Sequence, residues 1–274
     1  MNIGVDLGGT KIKVGVANEG LILQQNTALL FQKESLSSTL KQIKDLIRPH
    51  ISKSIDKIGI GVPSVVDTER GIVYNVTNIP SWEKVALKDI LEDEFQLPTF
   101  VNNDVNCFTL GEHLFGHAKG YSTAVGLTLG TGLGAGIIID NKLYKGCNTG
   151  AGEIGLLKYL EKNYEYYLGN SFFVRNFNFN AHEVSMAAER GEKWALDAYS
   201  EFGQHLGAAI QAVMYTYDPE VVVLGGSISN AFSFFEKAMY EGLEDFEFPE
   251  SLKKIKIVKS DNDNISLLGA AALK

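Results

Sequence analysis

The stretch Val5-Asp6-Leu7-Gly8-Gly9-Thr10-Lys11 decides the fold, because its pattern recurs at Leu127-Thr128-Leu129-Gly130-Thr131-Gly132. In both places a short apolar strand runs into a tight turn of glycine and threonine. A second apolar strand follows each turn, over residues 12–17 and 135–139. The pattern therefore predicts two β-hairpins of the same design, one at the start of the chain and one near its middle.

Two turns of this composition that face one another could bind a polyphosphate between them. Glycine lets the backbone approach closely, and backbone N–H groups and threonine hydroxyls donate to phosphate oxygens. Taken alone, each turn is also explained as an ordinary hairpin turn. Neither turn matches the single phosphate-binding loop or the dinucleotide fingerprint. The duplication favours a two-lobed nucleotide phosphotransferase, in which Asp6 would hold Mg²⁺ through water.

Length and composition limit the classes of protein that fit. The 274 residues are enough for two domains, and 45% of them are hydrophobic and 21% charged, as in globular proteins. A formal charge of −8 argues against a nucleic-acid partner. The apolar runs are too short to span a membrane, and Asp6 interrupts the first of them. Two cysteines supply neither a disulfide framework nor a zinc quartet. We therefore expect a cytoplasmic enzyme without membrane partners.

The order of predicted elements indicates an α/β fold with mixed sheets, because strands alternate with helices. Strands are expected at 58–62, 99–102 and 220–224, and helices at about 36–48, 195–217 and 267–273. A first lobe is expected at 1–117 and a second at 118–261, with a terminal helix in 262–274 that returns to the first lobe.

A polar cluster, Asn102-Asn103-Asp104-Val105-Asn106, falls where a strand gives way to a helix. Asp104 is a good N-cap for that helix. A carboxylate at this edge of a sheet also lies where ligands of α/β folds bind. It could accept the proton of a substrate hydroxyl that attacks a phosphoryl group. The two interpretations are compatible, and the cluster alone does not decide between them.

Two more segments are candidate ligand loops. Glycines flank a carboxylate in Gly150-Ala151-Gly152-Glu153-Ile154-Gly155. This pattern is typical of a loop that packs against a small polar ligand, and it is equally typical of a turn with a solvated glutamate. A predicted strand ends in Gly225-Gly226-Ser227, and such an end could bind a flat base or a phosphate. Each segment is a weak signal by itself.

In this order, the segments resemble those of the ROK family of sugar kinases and related repressors, within the actin–hexokinase–Hsp70 superfamily. The resemblance runs through nearly the whole chain and implies a two-lobed, actin-like fold of the ribonuclease H type with a cleft between the lobes. It implies two phosphate loops and an adenosine-side loop, formed by Asp6, Gly8, Gly9, Thr10, Lys11, Gly130, Thr131, Gly132, Gly134, Gly225, Gly226 and Ser227.

The resemblance also implies sugar ligands and a base. The segment 71–82 matches the family pattern that ends in Trp, and there Asn78 would touch the sugar. Where the family has Glu-Asn-Asp-x-Asn, this chain has Asn102 to Asn106, which makes Asp104 the catalytic base. The other implied sugar ligands are Asn103, Glu153 and Glu165.

The chain departs from the family at its zinc site. Leu156 replaces the family histidine, and residues 157–168 contain none of the usual cysteines. We therefore expect no structural zinc, and a loop packed by Leu160, Tyr164, Tyr166 and Tyr167 instead. Stoichiometric zinc in the purified protein would contradict this expectation.

The implied function is ATP- and Mg²⁺-dependent phosphorylation of a free hexose or N-acetylhexosamine, by a protein that the resemblance suggests is a homodimer. A sugar-responsive repressor is one alternative, although the hairpin that starts at Asn2 leaves no room before it for a DNA-binding domain. A sugar-binding protein that no longer phosphorylates is the other alternative.

Overall fold

A computed structural model describes residues 1–147 and 150–274. Its strands are β1 Asn2–Leu7, β2 Lys11–Asn18, β3 Leu21–Leu29, β4 Lys57–Val62, β5 Val65–Asp67, β6 Ile72–Tyr74, β7 Lys84–Ala86, β8 Thr99–Asn103, β9 Ala124–Leu129, β10 Leu133–Ile139, β11 Lys142–Leu143, β12 Lys158–Tyr159, β13 Lys162–Asn163, β14 Val221–Gly225 and β15 Lys256–Lys259. Its helices are α1 Leu36–Ile47, α2 Leu87–Phe95, α3 Asp104–Phe115, α4 Tyr164–Leu168, α5 Asn170–Phe177, α6 Ala181–Glu189, α7 Lys193–Tyr217, α8 Phe232–Glu241, α9 Pro249–Leu252 and α10 Ile265–Ala272.

The chain divides into two compact units. Unit 1 contains Met1–Lys119, Leu143–Ala151 and Asn262–Lys274, and unit 2 contains Gly120–Lys142 and Gly152–Asp261. The segment Leu143–Ala151 therefore lies in unit 1, although the sequence boundaries assign it to the second lobe. Each unit has its own buried apolar cluster. No helix in the described residues has both the length and the apolar composition to cross a membrane.

The main sheets of the two units repeat one topology. In unit 1 the strand order is β3-β2-β1-β4-β8, and in unit 2 it is β11-β10-β9-β14-β15. In each sheet an antiparallel hairpin is followed by two parallel strands. The predicted duplication and the predicted mixed α/β fold are both confirmed.

The two hairpins pair in the same antiparallel way, but the first turn is one residue longer than the second. Leu7 pairs with Ile12 across the first turn, and Leu129 pairs with Leu133 across the second. Strand residues with buried side chains, such as Val5 and Leu127, anchor the hairpins in the two cores. The turns are thus held on rigid strands, which is what precise positioning of a ligand requires.

The long helix α7 supports the sheet of unit 2. Its buried face carries Phe202, Leu206 and Ile210 at helical spacing. The helix begins two residues before the predicted start and ends where Asp218 adopts a left-handed conformation, with a φ of 43°, just before Pro219. The predicted stop at Asp-Pro is confirmed.

The helix α10 packs directly on backbone in unit 1, because glycines face it. A Cβ atom added to Gly59 of β4 would lie 1.8 Å from the carbonyl oxygen of Ala270. One added to Gly4 of β1 would lie 2.2 Å from the oxygen of Leu267, and one on Gly111 of α3 would lie 2.1 Å from that of Ile265. We call Gly4, Gly59 and Gly111 the glycine seat. A side chain at any of them would push α10 away from the sheet.

A buried histidine gives unit 1 a pH-dependent stability. His50, just after α1, is 6% exposed, and neither ring nitrogen has a hydrogen-bond partner in the described residues. Burial lowers the pKa of His50 below its ordinary value of 6.5. The folded chain therefore keeps His50 neutral at pH values where the unfolded chain binds a proton. We expect stability to fall as the pH drops below about 6.5, by at most about 1.4 kcal/mol per pH unit.

Urea unfolding at pH 7.5 and 5.5 measures this loss. Replacing His50 with Leu should reduce the difference between the two pH values, because the proton-binding group is gone. The matched control is His182→Leu, which removes an exposed histidine from α6 and should keep the wild-type difference. Equal pH dependence in wild type and His50→Leu would contradict the prediction.

Candidate active site

The first phosphate turn joins β1 to β2 and is stabilised by a hydrogen bond from the Gly8 N–H to the Lys11 carbonyl, 2.9 Å long. The N–H groups of Gly9 and Thr10 donate to no acceptor in the described residues. Lys11 is exposed at the end of the turn. The turn therefore offers free backbone donors, as a phosphate site needs.

Asn78 lies against this turn. A Cβ atom on Gly9 would lie 2.7 Å from the Cβ atom of Asn78, so only glycine allows this close approach. The side chain of Asn78 is otherwise exposed. The structure thus brings a predicted sugar ligand into contact with a predicted phosphate residue, both in unit 1.

The second turn predicted to bind phosphate, at residues 130–132 in unit 2, is one residue shorter than the first and is closed by a different hydrogen bond. The N–H of Gly130 donates to the Gly132 carbonyl over 3.0 Å, and the N–H groups of Thr131 and Gly132 donate to no acceptor in the described residues. A Cβ atom on Gly130 would meet no atom of residues 1–147 and 150–274 within 4 Å. Gly134 lies in β10, opposite Thr128.

The third glycine segment follows β14 in unit 2. Gly225 ends the strand, and Gly226 has a φ of 83°, a left-handed value that favours glycine. A Cβ atom on Gly226 would lie 2.3 Å from the carbonyl oxygen of Leu129, which precedes the second phosphate turn. Ser227 is exposed at the start of a 3₁₀ turn, Ser227–Ala231. The segment therefore packs directly on the strand that leads into that turn.

Asp6 lies on β1 in the same row of the sheet as Gly61 on β4 and Asn102 on β8. Residues in one row point to the same face, so Gly61 leaves a gap between the two polar side chains. Burial raises the pKa of Asp6, while the charge of Lys13 lowers it. No group of three His, Cys, Asp or Glu side chains that could hold a metal occurs in the described residues.

Cys107 of α3 fills the gap over Gly61. A Cβ atom on Gly61 would lie 3.0 Å from its sulfur. Cys107 is 1% exposed, and the pKa of its thiol is raised well above its ordinary value, first by burial and then by the charges of Asp104 and Asp6. The two carboxylates therefore lie near one buried thiol. Cys107 behaves as a small core residue, as the sequence indicates.

Asp104 is the first residue of α3, directly after β8. Its Oδ1 atom accepts the N–H of Val105 over 2.9 Å. The N-cap is Asn103 rather than Asp104, so the predicted capping role of Asp104 is wrong. The strand extends one residue further than predicted, and this places Asn103 at the boundary, where its side chain reaches the free N–H groups.

The cap limits what Asn103 can offer to a sugar. Its Oδ1 atom accepts the N–H groups of Val105 and Asn106, at 2.8 and 3.2 Å. Its Nδ2 atom donates to the carbonyl of Ser64 over 3.2 Å. One amide hydrogen is left for a ligand, so Asn103 would act as a donor to a sugar oxygen.

The two predicted sugar glutamates lie near each other in unit 2. Glu165, in α4, accepts the N–H of Leu133 over 3.3 Å, and a Cβ atom on Gly132 would lie 2.1 Å from its Oε2 atom. Glu153 is exposed and precedes a 3₁₀ turn, Ile154–Leu156. Burial raises the pKa of Glu153, and the charge of Glu165 raises it further. Glu165 thus contacts the second phosphate turn.

The segment that replaces the zinc loop is held by aromatic contacts. The rings of Tyr159 and Tyr164 stack with centroids 4.4 Å apart. Tyr167 meets the edge of Tyr159 at 5.4 Å and Tyr166 at 5.0 Å. The predicted packing is confirmed for the tyrosines and wrong for Leu160, which is 59% exposed because it occupies the left-handed turn between β12 and β13.

A pocket of about 290 Å³ opens beside Asn103, within unit 1. Its wall is formed by Val66, Asp67, Thr68, Glu69, Asn102, Asn103, Asn106, Lys145, Gly146 and Cys147. The sequence motifs mark Asn103 alone among these as a ligand. Lys145 and the loop 66–69 carry no motif, so only the structure reveals that they line this space.

The paired sheets, each with a glycine turn after its first strand, define the class: the fold is that of the actin-like ATPases. Within that class the match to known proteins is specific. The model of the ROK family covers residues 2–274, and the chain belongs to this family.

Similar proteins include both kinases and regulators. The chain is 28% identical to a glucokinase of Thermotoga maritima, over 99% of this chain and 96% of that protein. It is 29% identical to a xylose repressor of Caldicellulosiruptor bescii, over 99% of this chain and 77% of the repressor. The crystal structure of a ROK family glucokinase from Streptomyces griseus, in complex with glucose and AMPPNP, superposes with a TM-score of 0.85 at 27% identity, over 99% and 98% of the two chains.

Proposed function

We propose that the protein is an ATP-dependent sugar kinase that transfers a phosphoryl group to the primary hydroxyl of a hexose or N-acetylhexosamine. The observation that carries the proposal is the position of Asp104, at the junction of β8 and α3, in the unit that holds the first predicted phosphate turn. The likeness to glucokinases supports it. ATP would supply the γ-phosphoryl group, and Mg²⁺ would neutralise the negative charge of the phosphates.

In this mechanism the residues of the chain position the sugar hydroxyl and accept its proton. The Asp104 carboxylate accepts the proton of the sugar hydroxyl as that oxygen attacks phosphorus. Asn103 donates its remaining amide hydrogen to the sugar, and Asn78, Glu153 and Glu165 are further sugar ligands. Their positions hold the hydroxyl near the reacting centre, and positioning is the main contribution of a protein to phosphoryl transfer.

The free N–H groups of the two turns would bind the β- and γ-phosphates. Gly9 and Thr10 contribute from the first turn, and Thr131 and Gly132 from the second. Gly225, Gly226 and Ser227 are assigned to the adenosine side. Asp6 would orient the water shell of Mg²⁺, and the residues present fit such an ion as an outer ligand.

The open space at Gly130 tests the phosphate assignment. Replacing Gly130 with Ala puts a Cβ atom into space that no protein atom fills, so the folded protein should be unaffected. If phosphate occupies that space, the KM for ATP should rise about tenfold or more, which corresponds to about 1.4 kcal/mol. The KM for the sugar should stay within about twofold of wild type.

Gly150→Ala is the matched control for this variant. A Cβ atom there also meets no atom of the described residues within 4 Å, and Gly150 belongs to the candidate ligand loop 150–155 rather than to a phosphate turn. Steady-state kinetics with ATP varied at saturating sugar give the KM. An unchanged KM for ATP in Gly130→Ala would remove this turn from the nucleotide site.

A regulatory protein that binds sugar without phosphorylating it is the second candidate, favoured by the likeness to a xylose repressor. An assay of ADP release with Mg-ATP over a panel of hexoses and N-acetylhexosamines distinguishes the two. Turnover on one sugar supports the kinase and identifies its substrate. Sugar binding by calorimetry without turnover on any of them supports the regulator.

A further inference from the structure

We propose that His205 of α7 is a positioning residue for the sugar site, because with Tyr159 it fixes the short segment that carries Glu165. We call residues 158–168, which contain β12, β13 and α4, the tyrosine segment. This inference rests on the proposed function, and it adds a residue that no sequence motif marks. His205 and the tyrosine segment both belong to unit 2.

The tyrosine segment has little regular structure of its own. Its strands β12 and β13 have two residues each and pair with one another, and α4 has five residues. A hairpin or helix this short has few internal hydrogen bonds and is at best marginally stable in water. The position of the segment therefore depends on side-chain contacts with the elements around it.

His205 makes such contacts with both parts of the segment. The hydroxyl of Tyr159, on β12, lies 3.1 Å from the Nδ1 atom of His205. The ring of Tyr167, on α4, lies 4.7 Å from the imidazole, measured between ring centroids. The side chain of His205 is only 13% exposed. One residue of the long helix α7 thus contacts both the hairpin and the helix of the tyrosine segment.

The surroundings of His205 give its hydrogen bond a direction. Burial lowers the pKa of His205 below 6.5, against the opposing charge of Glu201, so the ring is neutral at pH 7.5. A carboxylate oxygen of Glu201 lies 3.7 Å from Nε2 and favours the tautomer with its proton there. The Nδ1 atom is then an acceptor, to which the hydroxyl of Tyr159 donates.

Tyr164 connects this hydrogen bond to Glu165. The rings of Tyr159 and Tyr164 stack with centroids 4.4 Å apart, and the hydroxyl of Tyr164 donates to the carbonyl of Ala208 on α7 over 3.3 Å. Tyr164 directly precedes Glu165 in α4. A displacement of Tyr159 that moves the stacked ring of Tyr164 therefore also moves Glu165.

Glu165 lies where a small displacement has a large effect. A Cβ atom on Gly132 would lie 2.1 Å from its Oε2 atom, and one on Gly155 would lie 3.4 Å from its Cβ atom. Its Oε2 atom also accepts the N–H of Leu133. Glu165 is thus in close contact with two backbone segments. Because a ligand must be aligned to bind well, a shifted Glu165 would hold the sugar less tightly.

Replacing Tyr159 with Phe tests the inference, because it removes the hydroxyl and keeps the stacked ring. The KM for the sugar should rise at least fivefold, while kcat stays within about twofold, since a sugar ligand contributes equally to the ground state and the transition state. His205→Leu should have the same effect. In His205→Asn the amide oxygen can accept the hydroxyl of Tyr159, so the KM should return to within about twofold of wild type.

Tyr199→Phe is the matched control. Tyr199 lies on the same helix, and its buried hydroxyl donates to the carbonyl of Ala181 over 2.9 Å. Its loss should lower the Tm by roughly 2–4 °C, as the loss of a buried hydrogen bond does in a chain of this size. The KM for the sugar should nevertheless stay within about twofold of wild type. The control thus separates an effect on stability from an effect on the position of Glu165.

A second background shows whether the effect passes through Glu165. In Glu165→Gln the sugar ligand is already altered, so adding Tyr159→Phe should change the KM by less than about twofold. A further fivefold rise in that background would overturn the inference, because the hydroxyl of Tyr159 would then act by another route.

The outcomes separate this inference from the proposed function. An unchanged KM for the sugar in Tyr159→Phe would overturn the role of His205 and leave the kinase proposal standing. If the wild type binds sugar in calorimetry without turnover, the kinase proposal fails, and the same ratios are expected for the sugar Kd. Absence of sugar binding by the wild type would overturn both.

Discussion

Replacing Asp104 with Asn should lower kcat by about a thousandfold or more, which corresponds to about 4 kcal/mol of transition-state stabilisation. The amide cannot take the proton of the attacking hydroxyl at neutral pH. The Oδ1 atom of Asn can still accept the N–H of Val105, so the start of α3 should be preserved. The sugar dissociation constant from calorimetry should therefore change only a few-fold.

The control for this variant is Asp89→Asn. Like Asp104, Asp89 is a carboxylate in the first turn of a helix, here α2, although Asp89 is exposed and Asp104 is half-buried, and Asp89 belongs to no predicted site. Replacing Asp89 with Asn removes the same negative charge from a helix N-terminus and leaves the proposed base in place. Turnover by Asp104→Asn within about tenfold of wild type would remove Asp104 from the mechanism.

Replacing Gly59 with Ala should destabilise unit 1 by about 3 kcal/mol, because the added methyl group would lie 1.8 Å from a backbone carbonyl of α10. Neither a carbonyl in a helix nor a central strand can move aside as a flexible side chain does. For a chain of this size that loss corresponds to a fall in Tm of roughly 6–12 °C.

Thermal unfolding followed by circular dichroism measures the effect. Gly150→Ala serves again as control, since it adds the same methyl group to unit 1 at a place where no atom of the part of the chain that the structure describes lies within 4 Å. A Tm within about 2 °C of wild type for Gly59→Ala would mean that α10 does not pack on the sheet as described.

The hairpins and the strand-to-helix junction at Asp104 could be predicted because their signals are local. Glycine, threonine and alternating apolar residues specify a turn between strands wherever they occur. The choice between Asn103 and Asp104 as N-cap could not be predicted, because both side chains cap well and the end of β8 decides which is used.

The remaining differences between the predictions and the structure depend on contacts between segments that are distant in the sequence. Lys145 reaches the pocket only because its segment folds into unit 1, and no pattern around residue 145 indicates this. The apolar side chain of Leu160 predicts a buried residue. Leu160 instead lies in a left-handed turn, where its side chain is exposed to solvent. Local patterns therefore predict candidate site residues, whereas the side chains brought to the pocket from distant segments become visible only in the fold.

Because α10 follows the last residue of unit 2 in the chain, the glycine seat stays uncovered until late in synthesis. Unit 2 is complete once residue 261 has left the ribosome, whereas the sheet of unit 1 must wait for α10, which ends at Ala272. Throughout that interval β1 and β4 present an uncovered face. At Gly4 and Gly59 this face is backbone without side chains, so the nascent chain exposes less apolar surface to other chains than leucine or valine would.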